Sequence, residues 1–196
     1  MSACAEDAVA ILLAAGRSRR LGRDKLIAEF AGRPVIDHIA ETLAGLPFAR
    51  RIAVTPADDN ARAERLAVFG DAFAVIRNSD PDAGQGASLA CAAAQVSAAP
   101  VVVILADMPF VTVDHIGRLL AALPDHPRGA AITAGDDVRM PPVAFATGWL
   151  PDLAALSGDR GARALLADAA HVAEVAAPAR MLIDLDTEED FARARG

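Results

Sequence analysis

Val9-Ala10-Ile11-Leu12-Leu13-Ala14-Ala15-Gly16-Arg17-Ser18-Arg19-Arg20-Leu21-Gly22-Arg23-Asp24-Lys25 opens as an apolar run and closes as a basic loop framed by two glycines. Val9 to Leu13 has the length and composition of a buried strand. Gly16 and Gly22 let the backbone turn tightly, and successive N–H groups in such a turn form a nest for an anion. Arg20 and Lys25 add charge to it. The chain carries eighteen arginines and this single lysine. A lysine surviving by chance is the bland reading; the competing one is that a compact, flexible ammonium is needed where guanidinium does not serve. The spacing is not that of a Walker loop, because Asp24 intervenes and no Ser or Thr follows Lys25. Nor is it the dinucleotide fingerprint, because Gly16 to Gly22 lacks the middle glycine.

Downstream, short apolar runs alternate with helix-period stretches, the pattern of a parallel α/β sheet. Strands are expected at Arg51–Val54, Phe73–Ile76 and Val101–Leu105. Helices are expected at Pro34–Leu46, Asp59–Val68 and Gly86–Val96. Beyond Val111 the rhythm changes: a helix over Thr112–Leu123, strands at Ala130–Thr133 and Val143–Phe145, and a helix over Gly161–Ala167. Strands at Val172–Val175 and Met181–Leu185 follow, and Thr187-Glu188-Glu189-Asp190 resembles a capping box opening a last helix. The expected fold is α/β and Rossmann-like: a mostly parallel sheet with helices on both faces and a small inserted mixed-strand region. The chain reads as one domain, residues 1–196, with a nucleotide-binding half at about 8–110 and an acceptor-side half at about 111–196.

Composition narrows the function. In 196 residues, 54% are hydrophobic but only 4% aromatic, which suits alanine-rich helices packed closely on a sheet. A net charge of −7 argues against a general nucleic-acid or membrane-surface binder, so a local basic cluster points to a small anion. Cys4 and Cys91 have no metal-ligand spacing, and His38, His115, His126 and His171 are scattered. Met1 to Asp7 lacks the features of a signal peptide and no apolar run has the length of a membrane span, so a cytoplasmic location is expected.

Four further stretches carry chemistry. In Leu105-Ala106-Asp107-Met108-Pro109 an aspartate follows a central strand, at the carboxyl edge where open α/β sheets bind ligands. Mg²⁺ favours one or two carboxylates plus phosphate oxygens, so Asp107 suits a metal; the competing reading is a cap for the helix near Thr112. In Asp184-Leu185-Asp186-Thr187, two carboxylates two apart on an extended strand point the same way and could share a cation with Asp107. Asp186 or Thr187 also suits a helix cap. Asn78 to Leu89 contains Gly84-Gln85-Gly86 and Ser88 at a helix start, a place for a base or ribose or simply a loop entering a helix. Ser157-Gly158-Asp159-Arg160-Gly161-Ala162-Arg163 suits a second anion, or is a solvated basic turn.

On these residues the chain resembles the MobA-like nucleotidyltransferases, in particular the molybdenum cofactor cytidylyltransferase branch. The family's Leu-Ala-Ala-Gly, Ser, Arg, Gly, Lys series is matched by Leu13-Ala14-Ala15-Gly16, Ser18, Arg20, Gly22 and Lys25. Its Asp-Met-Pro is matched by Asp107-Met108-Pro109, and its Gly-Asp-x-Gly-Ala-Arg by Gly158 to Arg163. Its Gly-Met-Gly then Ser-Leu becomes Gly84-Gln85-Gly86 then Ser88-Leu89. Its Asp-Ile-Asp-Thr-Pro-Glu-Asp departs only at Leu185 and Glu188. One segment departs further: Met140-Pro141-Pro142-Val143-Ala144-Phe145 lacks a glycine and a His or Asn, which bears on the acceptor pocket.

The resemblance implies transfer of CMP from CTP to a molybdopterin-type cofactor, with release of pyrophosphate. Ala15, where guanylyl-using relatives tend to have glycine, points towards CTP. The implied catalytic residues are Lys25, Arg20 and Asp107. The implied nucleotide contacts are Leu13, Ala14, Ala15, Gly16, Ser18, Gly22, Asn78, Gly84, Gly86 and Ser88. Asp159, Arg160, Gly161 and Arg163 would bind the acceptor, and Asp107, Asp186 and Asp184 would hold Mg²⁺. A molybdoenzyme receiving the product is an implied partner; nucleic acid and membrane are not. The competing functions are nucleotidyl transfer to another phosphorylated acceptor, such as a sugar phosphate or phosphorylated alcohol, and a non-catalytic cofactor carrier.

Overall fold

A computed structural model of the chain describes residues 4–17, 21–135, 138–159, 161–167 and 169–195. Its centre is strand β1 (Val9–Leu13), buried at every position. A strand can be apolar throughout only if both faces are covered, and alternate residues of β1 feed two separate cores. Ala10 and Leu12 join one core; Val9, Ile11 and Leu13 join the other.

After β1 come the short antiparallel pair β2 (Glu29–Phe30) and β3 (Arg33–Pro34), α1 (Val35–Ala44), β4 (Arg50–Pro56), α2 (Ala61–Ala67) and β5 (Ala74–Asn78). Then follow α3 (Gln85–Ala93), β6 (Val101–Leu105) and α4 (Val113–Ala122). The second half holds β7 (Ala130–Ala134), β8 (Arg139–Phe145), α5 (Leu150–Ala154), β9 (Val172–Ala176) and α6 (Glu188–Arg195). Seven strands form one sheet in the order β5-β4-β1-β6-β8-β7-β9. Pairs β4–β5, β1–β4, β1–β6 and β7–β9 are parallel, while β8 runs antiparallel to both β6 and β7. Ile36 and Ile39 of α1 and Ile116 and Leu119 of α4 pack in one core; Leu89 of α3 and Leu153 of α5 pack in the other. Burying each such side chain contributes about 1.5–3 kcal/mol. The expected Rossmann-like sheet with helices on both faces and a mixed region in the second half is what the chain adopts.

From β1 the order runs outward through β4 to β5 on one side and through β6 on the other. Such a reversal opens a crevice at the carboxyl ends of the two central strands, because the loops leaving them turn to opposite faces. Leu13 and Leu105 pair there in register.

Several local expectations are corrected. Met181–Leu185 is not a strand: a 3-10 turn spans Ala179–Leu182, and an extended, unladdered segment follows. Gly161–Ala167 is not an α-helix but a 3-10 turn over Ala162–Leu166. The strand expected at Val143–Phe145 begins earlier, at Arg139, and includes Pro141 and Pro142. The capping box holds: Asp190 N–H donates to Thr187 Oγ1 at 3.2 Å, and Thr187 N–H donates back to Asp190 Oδ2 at 2.9 Å.

Candidate active site

Two adjoining cavities occupy the crevice. The first, about 530 Å³, is lined by the ends of β1 and β6 (Leu13, Ala15, Gly16, Leu105, Ala106), the start of α3, Lys25 and five aspartates, of which Asp107, Asp184 and Asp186 surround the lysine. The second, about 840 Å³, lies over β6, β7 and β8, with apolar Val103, Leu105 and Ile132 beneath and Arg139, Arg163 and Glu174 at its rim. Leu13, Gln85, Leu105 and Asp159 line both.

The charge centre follows from three chain segments. Asp107 sits between Ala106 and Met108, both buried to 1% exposure or less, so its backbone is pinned at the end of β6. Leu185 N–H donates to the Asp107 carbonyl at 3.1 Å, and Leu185 is itself fully buried. That contact brings the C-terminal segment against β6 and leaves Asp184 and Asp186, on either side of Leu185, lining the first cavity. The expected parity of the two carboxylates is therefore observed, though no strand ladder produces it. Lys25 Nζ donates to Asp107 Oδ2 at 2.5 Å and to Asp186 Oδ1. Burial works to lower the pKa of Lys25, but the charges and hydrogen bonds of Asp107 and Asp186 outweigh it and hold the ammonium above its ordinary value. The pKa of Asp184 is raised as well, but there burial first, then repulsion from Asp107, disfavours the charged form.

Asp107 is not a helix cap. Thr112 fills that role, its hydroxyl accepting from His115 N–H at 3.2 Å. The other Asp107 oxygen, Oδ1, is buried and has no hydrogen-bond partner. A buried, unpaired carboxylate oxygen is costly unless a cation satisfies it. Among the described residues, no group of three His, Cys, Asp or Glu side chains forms a ready-made metal cage. The unpaired Asp107 oxygen fits an ion that takes one or two carboxylates and completes its shell with ligand oxygens.

Among the expected nucleotide contacts, Leu13, Ala15, Gly16, Gly84 and Ser88 line the first cavity. Ala14, Asn78 and Gly86 support it from behind: Ala14 is buried in the core, and Asn78 Nδ2 donates to Ser88 Oγ at 3.0 Å. Gly22 adopts φ +68° in the loop but does not line the cavity. Asp159 lines both cavities, while Gly161 and Arg163 line the second. Ser18, Arg20 and Arg160 lie outside the described residues.

Arg62 went unread in the sequence. On α2 it is 3% exposed. Nε and Nη2 donate to the two oxygens of Asp24 at 2.8 and 2.9 Å; Nη1 donates to the carbonyls of Ala14 and Gly16 at 2.6 and 2.9 Å. One guanidinium thus ties the start of the glycine loop to the residue preceding Lys25. The available signal was its place four residues before the buried Leu66, hence on the inward face of α2. Arg17 was also unread: it lines the mouth of the first cavity, bonded to Asp58 at 2.7 Å and Asp82 at 3.3 Å.

Among the described residues no helix is long and apolar enough to cross a membrane. Residues 10–175 match the MobA-like NTP transferase domain. Over 199 aligned residues the chain is 28% identical to the purine catabolism protein PucB of Bacillus subtilis (strain 168), covering 95% of each. It is 32% identical to the nicotine blue oxidoreductase of Paenarthrobacter nicotinovorans, covering 80% of this chain and 79% of that one. It is also 32% identical to a molybdenum cofactor guanylyltransferase of Mesorhizobium japonicum, covering 71% and 66%. The crystal structure of the Rv0371c protein of Mycobacterium tuberculosis H37Rv superposes with a TM-score of 0.75 at 27% identity, covering 98% and 100%. The same protein has been solved in complex with manganese (TM-score 0.70, 25% identity, 96% and 97% covered). The cofactor enzymes named among the relatives are guanylyltransferases, in contrast to the cytidylyl branch read from Ala15. The chain belongs to the family of MobA-like NTP transferase domains.

Proposed function

We propose that the chain transfers a nucleotidyl group from a nucleoside triphosphate to a phosphorylated acceptor of the molybdopterin type. The observation that carries this is the junction of the two cavities beside Lys25, Asp107, Asp184 and Asp186. The triphosphate would lie over the loop from Leu13 to Gly22, with Gly84 and Ser88 towards ribose and base. The acceptor would fill the second cavity, its flat apolar body on Leu105 and Ile132 and its polar edge facing Arg163 and Glu174. That cavity, about 840 Å³, has room for a pterin-sized acceptor. Residues 8–110 would carry most of the nucleotide site and residues 111–196 most of the acceptor site, with Asp184 and Asp186 reaching back to the first cavity.

An oxygen of the acceptor phosphate attacks the α-phosphorus. The bond from that phosphorus to the bridging oxygen of the β-phosphate breaks, and pyrophosphate leaves with the electron pair. The attacking phosphate is already ionised at neutral pH, so no general base is required. Lys25 offsets charge on the triphosphate, and positioning with electrostatics supplies the rate. Arg20 and Ser18 would add to the phosphate loop, and Arg160 to the acceptor side. Asp107 and Asp186, with Asp184 beside them, would hold a divalent ion, Mg²⁺ in this reading. Bound there, the ion would supply charge neutralisation on phosphate oxygens. The manganese complex of the mycobacterial neighbour supports a divalent ion in this fold.

The donor is CTP in this reading, because Ala15 stands where guanylyl-using relatives tend to have glycine; the guanylyl names of relatives make GTP the competitor. The experiment is a thermal-shift panel of CTP, GTP, ATP and UTP with and without Mg²⁺. A ligand at a hundred times its Kd adds about 2.7 kcal/mol, which is readily seen. A Mg²⁺-dependent shift with one triphosphate, followed by pyrophosphate release on adding molybdopterin, supports the function. A shift with no triphosphate, and none after molybdopterin is added, overturns it.

A further inference from the structure

The loop that enters α3 and the loop that precedes the Ala162–Leu166 turn are closer than packing of ordinary residues allows. Gly84 has φ +96°, and a Cβ there would lie 2.5 Å from the backbone of Gly158 and 2.6 Å from Asp159 Oδ1. Gly86 N–H donates to the Gly158 carbonyl at 2.8 Å. A Cβ on Gly161 would lie 2.3 Å from Gln85 Oε1. Gly84 therefore lets the two loops touch, and Gly161 clears the space for one side chain, Gln85, to lie across the seam with its amide against Gly161. The first loop lines the first cavity and Gly161 lines only the second, whereas Gln85 lines both.

We propose that Gln85 couples the two cavities, so that the arrangement of the acceptor-side loop sets the affinity of the nucleotide site. The inference rests on the nucleotide-binding reading above and adds a residue that positions one site from the other. The physical basis is that Gly84 and Gly86 are fixed to Gly158 through backbone contacts that leave no slack. A displaced acceptor-side loop must carry Gln85 and the N-terminus of α3 with it. Coupling of this kind is reciprocal, so a nucleotide that orders Gln85 also orders the acceptor wall.

The test uses the full chain and Gly161→Ala. The clash it introduces is with the far end of a flexible side chain, so the fold accommodates it by turning Gln85 aside. Gly161 does not line the first cavity, so a local effect on nucleotide contact is not expected. Calorimetric titration with the triphosphate that stabilises the wild-type chain most in the panel, in Mg²⁺, should show affinity at least about fivefold weaker in Gly161→Ala, the low end of typical coupling. In Gln85→Ala the same glycine substitution should have no further effect, because the displaced group is already gone. Equal affinities of wild type and Gly161→Ala overturn the inference while leaving the functional reading intact. A full second loss in the Gln85→Ala background also overturns it, since the effect then bypasses Gln85. Failure of the wild-type chain to bind any of the four triphosphates, both without and with molybdopterin, overturns the functional reading and the inference with it.

Discussion

Arg62 grips both carboxylate oxygens of Asp24, at 2.8 and 2.9 Å, one residue before the only lysine in the chain. The pair is bidentate, and Arg62 has a side chain only 4% exposed. Its remaining nitrogen closes on two carbonyls of the glycine loop, Ala14 and Gly16. The position of Lys25, in a turn between β1 and β2, is thus set from helix α2, through a guanidinium whose planar fork a lysine does not reproduce.

Arg62→Met should therefore cost about 3–5 kcal/mol of stability, because it leaves Asp24 and two loop carbonyls without their partner. Arg62→Lys should recover part of the stability but little nucleotide affinity, as a single ammonium does not span Asp24 and the carbonyls at once. Urea unfolding and nucleotide titration on the same samples separate the two effects; equal recovery of both would show that Arg62 is only a structural cation.

Lys25 lies among Asp107, Asp184 and Asp186, so Lys25→Ala removes the charge that balances three carboxylates. Turnover should fall by about 10²–10³, the scale for losing one preorganised charge-stabilising donor. The folded chain should also lose stability in EDTA and regain it on adding Mg²⁺ to a greater extent than the wild type does. The comparison of Tm in EDTA and in Mg²⁺ for both proteins reads this; an identical Mg²⁺ effect in the two places the ion away from Lys25. Asp107→Asn should abolish the Mg²⁺ effect in either background.

The parallel half of the fold was legible because β1 and β6 are apolar at consecutive positions, which only a strand covered on both faces sustains. The carboxylate cluster was legible too: Asp107 lies two residues past the end of β6, and Asp184 and Asp186 differ by two, so their placement depended on local parity. The Met181–Leu185 strand was misread because apolar alternation also serves a segment that docks by one hydrogen bond, Leu185 to Asp107, with no neighbouring strand to pair with. Arg62 and Gln85 were missed or undervalued for a shared reason. Their partners lie 38 and 76 residues away, Asp24 and Gly161, and nothing local marks a long-range pair.

Asp184 gives a pH signature. Its folded pKa is raised above 3.8 by burial and by Asp107, so its contribution to stability is full below that unfolded value and is lost as pH rises through the folded one. Asp184→Asn should therefore be more stable than the wild type at neutral pH without metal, and the difference should vanish below about pH 4. Thermal scans across pH in EDTA measure it. A variant less stable than wild type at pH 7 in EDTA would mean that Asp184 holds the fold through a contact its charge supports.

His115 gives the opposite slope in a different place. It is fully buried between α4 and the sheet, and burial, then the Arg118 charge, lowers its pKa from 6.5 to about 4. Thr133 donates to the Pro142 carbonyl, so His115 Nε2 carries the proton in its 2.8 Å bond to Thr133 Oγ1. The unfolded chain binds this proton first as pH falls, so stability should decline from about pH 6.5 to about pH 4, by up to about 3 kcal/mol. His115→Gln keeps a donor without a titrating group, and its stability should lose that slope in urea unfolding followed across the window. An unchanged slope would assign it to other groups.

Ala15 decides the donor in the proposed function, and its substitution separates CTP from GTP. The residue is 1% exposed and lines the first cavity together with Leu13, Gly16 and Ser88. Ala15→Gly removes one methyl from that wall. A single methyl or methylene in a pocket is worth about 10–200-fold in discrimination, so the substitution should move the ratio of kcat/KM for CTP over GTP towards GTP by at least tenfold. Initial rates with each triphosphate at fixed acceptor measure the ratio. A ratio unchanged by the substitution removes the basis for CTP and leaves the guanylyl names of the relatives as the better guide, whereas a shift confined to KM would show that the methyl acts on purine entry and not on the geometry of transfer.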